Sequence, residues 1–237
     1  MRPTITHART DCGPSARLTR HPAVAHGLEL VAALAAALLL TACAVGNKYD
    51  YRMPTMAIPV QGAGEVGLVV ADERPYVLSG NKPPDFVGLQ RGGFGNPFDV
   101  TTQSGAAMAQ DMAATLKDAL AAKGYRVTLI EGDAKDSAAL GRKAGERGLR
   151  RVIVLHIKEW KTDTMVNTKL LFDLQLIIVD QAGKVVAKNA INGTSTIGGG
   201  MPGSIAASAR QSFESKIGQL FYPPEIREAL DGGASRR

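Results

Sequence analysis

The sequence predicts a single α/β (α+β) domain, a mixed sheet of about five strands with three helices in the order β-α-β-α-β-β-β-α. Three stretches carry that prediction. Over residues 102–123 the apolar residues Met108, Met112, Leu116 and Leu120 recur at every fourth position, on one face of a helix. Over residues 169–179, Leu170, Phe172, Leu174, Leu176 and Ile178 alternate with residues that include Asp173 and Gln175, the period of a strand with one wet face. Asp180-Gln181-Ala182-Gly183 then has hairpin composition, so the strands on either side of it are antiparallel neighbours.

In chain order, the first strand is the apolar run Val66-Gly67-Leu68-Val69-Val70, closed by Asp72-Glu73-Arg74. Residues 75–100 show no period and include Asn81-Lys82-Pro83-Pro84 and Arg91-Gly92-Gly93-Phe94-Gly95-Asn96-Pro97, so they read as a long shaped loop. The helix over 102–123 has Thr101, Thr102 or Ser104 available as a cap and Gly124 just past its end. Residues 125–130 form a strand, and a shorter helix covers 136–147. Residues 151–160 alternate Ile153, Leu155 and Ile157 against Val152, Val154 and His156. Residues 184–196 return from the hairpin to complete an antiparallel meander. The last helix, 204–221, carries the stripe Ile205, Ala209, Phe213, Ile217 and Leu220, and Tyr222-Pro223-Pro224 halts it. Residues 226–230 add one more turn.

Upstream of the domain every residue from Leu30 to Leu40 is apolar. That run is too short for a membrane span, which needs about 20 residues, and fits a signal-peptide core of about 7–15. It ends in Leu40-Thr41-Ala42-Cys43, which resembles the lipobox of bacterial lipoproteins. The resemblance implies diacylglycerol transfer to the Cys43 thiol, cleavage between Ala42 and Cys43, and acylation of the new amino terminus. On that reading 1–42 is a cleaved signal, 43–64 a lipidated tether, 65–230 the periplasmic domain and 231–237 a frayed tail. Tyr49, Tyr51 and Met53 alternate within the tether, which leaves an edge strand as the other reading of that stretch. In such lipoproteins an aspartate after the cysteine favours the inner membrane. Ala44 stands there, which implies the periplasmic face of the outer membrane.

Composition narrows the chemistry. The chain carries a formal net charge of +6, its basic residues are scattered, and no nucleic-acid footprint results. Beyond residue 42, Cys43 is the only cysteine and His156 the only histidine, so neither a disulfide, a thiol nucleophile nor a histidine metal site is expected. The glycines of 92–95 lie far from the preceding strand and Pro97 intervenes before the helix, which is the wrong context for a phosphate loop. Asp72, Glu73 and Arg74 close one strand, and Glu159 and Asp163 flank Trp160 at the end of another; paired carboxylates there would suit acid–base work on glycans. Arg91, Phe94 and Trp160 are the candidate interaction residues, because aromatic and arginine side chains anchor interfaces.

The layout resembles the YajG-like family of envelope lipoproteins. The shared features are the lipobox at Cys43, Gly67-Leu68-Val69-Val70 with Asp72 and Arg74 behind it, Gly124-Tyr125-Arg126-Val127 after the helix, and Lys184 and Asn189 around the hairpin return. The resemblance implies an envelope lipoprotein without known catalysis. The tether, the anchor and the lack of catalytic groups in the sequence lead to the expectation of a non-catalytic protein, with no cofactor or metal, that is attached to the membrane by its lipid and binds an envelope protein partner. A peptidoglycan- or glycan-binding module is the alternative, and a cell-wall hydrolase using Asp72, Glu73 or Glu159 a further one. Cys43→Ser is expected to abolish incorporation of labelled palmitate in cells; labelling that persists would remove the anchor from this reading.

Overall fold

The computed structural model describes residues 47–199 and 202–231; the expected export signal over 1–42 and the expected acylation site Cys43 lie outside the described residues. The described residues form a mixed sheet of eight strands with five helices, more of each than expected. In order they are β1 (Lys48–Tyr49), β2 (Gly64–Asp72), α1 (Pro75–Leu78), β3 (Phe86–Arg91), β4 (Pro97–Thr102), α2 (Met108–Ala122), β5 (Tyr125–Leu129), α3 (Ser137–Glu146), β6 (Arg151–Thr164), β7 (Asn167–Val179), β8 (Val185–Gly199), α4 (Pro202–Phe221) and α5 (Pro224–Leu230).

β6 is the spine. One of its edges pairs with β7 from Val152 to Thr164, antiparallel. The other edge has two partners in succession, both parallel: β2 against Arg151 to Ile157, then β3 against Thr162 to Thr164. β5 adds to the outer side of β2, β4 and then β1 to the outer side of β3, and β8 to β7. The changeover coincides with an irregularity in β6 between Ile157 and Glu159. Such a bulge bends the strand and shifts the phase of its side chains. β3 can come close at this point because Gly88 lies opposite Thr162, where a Cβ would collide with the threonine hydroxyl and backbone.

The predicted meander is present as β6-β7-β8, and the buried positions of β7 are the alternating apolar set of the sequence. One sheet face is covered by α2, α4 and α5, which bury Met108, Met112, Leu116, Ile205, Phe213, Ile217 and Ile226 against β2, β6 and β7. On the other face α3 covers a smaller cluster through Leu140 and Ala144, over Val69, Val152, Val154 and Val179. The loop expected over 75–100 contains α1 and the hairpin β3–β4. Its two strands are six residues each and carry no alternation of their own. The second helix starts at Met108 rather than 102, because Thr102 belongs to β4; Gly124 ends it as expected, with φ of 98°.

The expected tether is corrected by burial. Tyr49, Tyr51, Met53, Met56, Ile58 and Val60 all lie in the main core. Thr115 on α2 clamps the segment by accepting from the Met53 N–H and donating to the Tyr51 carbonyl, each at 2.7 Å. Tyr51 meets Trp160 and Phe213 edge-on with ring centroids 6.0 and 5.6 Å apart, and those two rings meet each other at 6.1 Å. Such pairs add about 0.5–1.5 kcal/mol each beyond burial. The alternation of Tyr49, Tyr51 and Met53 therefore reports core packing, with only Lys48–Tyr49 in strand pairing. Tyr51→Ala is expected to lower the unfolding free energy by about 3–5 kcal/mol, the cost of emptying an aromatic core site; a change within about 0.5 kcal/mol in urea unfolding, as for a surface position, would contradict this packing.

Candidate functional site

The residues that the sequence singles out for chemistry converge on the β2-to-β3 changeover along β6, and the structure divides them into two sets. Asp72 and Arg74 are structural. Arg74 follows β2 directly and is fully buried. Its Nε and Nη2 donate to the two Asp72 carboxylate oxygens at 2.8 and 2.7 Å. Nη1 donates to the carbonyls of Phe86 at 2.5 Å and Trp160 at 3.2 Å, and Nη2 reaches the Pro84 carbonyl at 3.3 Å. The guanidinium thus bridges the end of β2, the start of β3 and β6. Burial pulls the Arg74 pKa down, but the hydrogen bonds and charge of Asp72 outweigh it and the net direction is up.

The second set forms a polar row on the sheet face that α3 leaves uncovered. Glu73 Oε1 lies 3.0 Å from His156 Nδ1. Tyr76, on the one-turn helix α1, donates its hydroxyl to Glu159 Oε1 at 2.5 Å, and Lys161 Nζ lies 3.5 Å from Glu159 Oε2. Lys161 and Arg74 also approach the Tyr76 ring, at 5.1 and 5.5 Å from its centroid. Burial, then the hydrogen bond to Glu159, pushes the Tyr76 phenol well above its ordinary range. Arg91 on β3 makes a two-pronged contact with Asp163, both arms at 2.7 Å. That hydrogen bonding holds the Asp163 carboxyl below the usual carboxylate range, against a smaller opposing effect of burial. By register the row continues onto β7 through Gln175, Asp173, Leu171 and Lys169.

Each candidate carboxylate is thus already engaged by an arginine, a lysine, the His156 imidazole or the Tyr76 hydroxyl of the same domain. Among the described residues no group of three or more His, Cys, Asp or Glu side chains is placed to hold a metal ion. Trp160, one of the candidate interaction residues, is fully buried in the aromatic trio. Phe94 is 99% exposed at the β3–β4 turn. Arg91 is half-buried against Asp163, so the three candidate interaction residues do not form one patch. Tyr76 was not singled out in the sequence, and its only signal there was its place two residues beyond Arg74. The helical side carries two shallow concavities away from the row. One, about 630 Å³, lies between residues 53–57, α2 and α4; the other, about 620 Å³, lies between residues 58–61 and α5.

No protein-family profile matches the chain, and no curated protein does. The YajG-like resemblance therefore gains no support from that side. Among solved structures, a DUF330 family protein from Xanthomonas campestris aligns with a TM-score of 0.50 and 9% identity, over 76% of this chain and 98% of that one. A PelC dodecamer subunit from Paraburkholderia phytofirmans aligns at 0.39 and 15% identity, over 73% and 94%. A lipoprotein from Neisseria meningitidis aligns at 0.28 and 12% identity, over 66% and 99%. The first is a likeness of fold; at 0.39 and 0.28 the other two superpose too little to establish even that.

The two arginines at this site predict losses of different size. Arg74→Met leaves Asp72 and three backbone carbonyls without their buried cation, and is expected to cost at least about 3 kcal/mol. Arg91→Ala breaks a partly exposed pair and is expected to cost less than about 1 kcal/mol. Urea unfolding of both variants checks this, and equal losses would contradict the division into structural and surface sets.

Proposed function

We propose that this chain is a non-catalytic lipoprotein of the bacterial envelope, acylated at Cys43, held at the periplasmic face of the outer membrane, and engaged with a protein partner through the uncovered polar face of its sheet. The observation that carries the reading is the apolar run ending in Leu40-Thr41-Ala42-Cys43 ahead of a domain whose acidic and basic candidates are paired with one another. Among the described residues no helix is long and apolar enough to cross a membrane, so attachment by lipid is the route this reading supplies. The likeness of fold to an uncharacterised DUF330 protein is compatible with it.

The same pairing weighs against the hydrolase alternative. A general acid or base must exchange a proton with substrate, and Glu159 is committed to Tyr76 and Lys161 while Glu73 is committed to His156. The glycan-binding alternative loses Trp160 from its aromatic platform and keeps only the exposed Phe94. The polar row on β6 and β7 remains as a face of half-buried side chains, Glu159, Lys161, Leu171 and Asp173 among them, with Tyr76 of the one-turn helix α1 packed against Glu159 and Lys161. Ordered charged pairs flanked by aliphatic surface suit electrostatic selection of a partner.

Photo-crosslinking in cells, with the probe at Leu171 or Asp173, tests the assignment of this face. A discrete protein adduct at either position, lost in Lys161→Glu, is the expected result. Adducts to wall fragments would transfer the reading to glycan binding, and no adduct at either position would remove the partner from this face.

A further inference from the structure

Two hairpins of this sheet end side by side. β3 runs parallel to β6 with Leu89 opposite Asp163 and Gln90 opposite Thr164, so the β3–β4 turn at 92–96 and the β6–β7 turn at 165–166 leave the sheet at the same end. Their tips carry Phe94, Met165 and Val166, which are 99%, 64% and 78% exposed. Phe94 and Val166 are the two most exposed large hydrophobic side chains among the described residues. Apolar side chains gathered at one extremity mark a contact with another apolar phase.

The chain enters the domain beside these tips. The Asn47 carbonyl accepts from the Thr101 N–H at 3.3 Å, and its side chain donates to Gln90 Oε1 at 3.3 Å. β1 is parallel to β4, with Lys48 opposite Thr101, so moving backward from Asn47 is moving along β4 toward Pro97 and the β3–β4 turn. Four Cα-to-Cα steps separate Asn47 from Cys43, a reach of at most about 14 Å. The rung that pairs Arg91 with Pro97 lies three strand positions beyond the level of Asn47, or about 10 Å. The opposite end of the sheet, at the turn after β7, lies roughly 40 Å away along β7 and is out of reach of that leash. Close to the tips, Lys169 lines a shallow groove with Met165, Asn167, Leu171 and Asp163, the last already paired with Arg91.

We propose that Phe94, Met165 and Val166 are a second, non-covalent membrane contact, seated in the headgroup and upper acyl region of the bilayer that holds the anchor, so that the domain stands end-on. The occupant of these tips is lipid. The proposal rests on the reading of Cys43 as the anchor point. The geometry that supports it is the shortness of the link: a leash that packs into the core from Tyr49 onward leaves only residues 43–47 between bilayer and fold.

The test supplies the anchor chemically. The chain from residue 43 to 237 contains one cysteine, Cys43, which couples to a maleimide phospholipid in vesicles of phosphatidylethanolamine and phosphatidylglycerol with brominated acyl chains. Bromine quenches tryptophan on contact, and the native Trp160 is buried in the core and contributes a constant background. Phe94→Trp and Met165→Trp are expected to lose most of their added emission relative to vesicles without bromine, and Ala182→Trp, in the turn at the far end, to lose none. Quenching at positions 94 and 165 no greater than at 182 overturns the contact, as does quenching at 182 in their place. Because the anchor is installed by coupling, either result counts against the end-on contact alone, while a failure of cells to acylate Cys43 counts against the anchor reading.

Discussion

A strand that takes two partners in succession along one edge leaves backbone carbonyls stranded where the first has departed and the second has not yet arrived. In this domain the Arg74 guanidinium sits in that gap on β6. Its five N–H donors are spread over the Asp72 carboxylate and the carbonyls of Pro84, Phe86 and Trp160, so one side chain satisfies groups from three segments at once. Burying a cation costs several kcal/mol, and only close pairing with good geometry repays it. Asp72, two residues earlier, provides that pairing. β3 and β4 depend on this junction, and so does β1, which pairs only with β4.

Attachment and core packing follow from the same end of the sheet. β1 is placed by β4, and the residues behind it run through the middle of the core, where Tyr51 joins Trp160 and Phe213 and Thr115 pins the backbone on both sides. A force applied near the N-terminus is therefore transmitted to the hydrophobic core rather than taken up by slack chain. On the proposed reading of Cys43 as the anchor, this packing holds the domain at a fixed attitude relative to the bilayer.

Much of this was legible in the sequence. Period four gave α2 and α4, and alternation gave β7, because in those elements one face is buried along its whole length. Where pairing is imposed from outside, the pattern fails. β3 and β4 owe their existence to β6 and to each other, and six residues with a glycine at position 88 do not alternate enough to announce a strand. Trp160 shows the same limit at one residue. Simple alternation from His156 sets Trp160 on the wet face, but the irregularity at residue 158 shifts the phase and turns its ring into the core. Asp72 and Arg74 were visible as a charged strand end. Nothing in their spacing showed that the arginine would be buried, because that follows from β3 arriving twelve residues later.

The Arg91–Asp163 pair, the placement of β1 and the exposed β3–β4 tip presuppose that β3 is locked onto β6 by Arg74. Hydrogen exchange of an Arg74→Lys variant examines that most directly, since lysine keeps the charge and loses the fork that spans Asp72 and the carbonyls. The account predicts that amides in β3 and at Thr162 and Thr164 lose protection while those of β7 and β8 retain it. Protection unchanged in β3, or lost uniformly through the sheet, would contradict the role given to this one guanidinium.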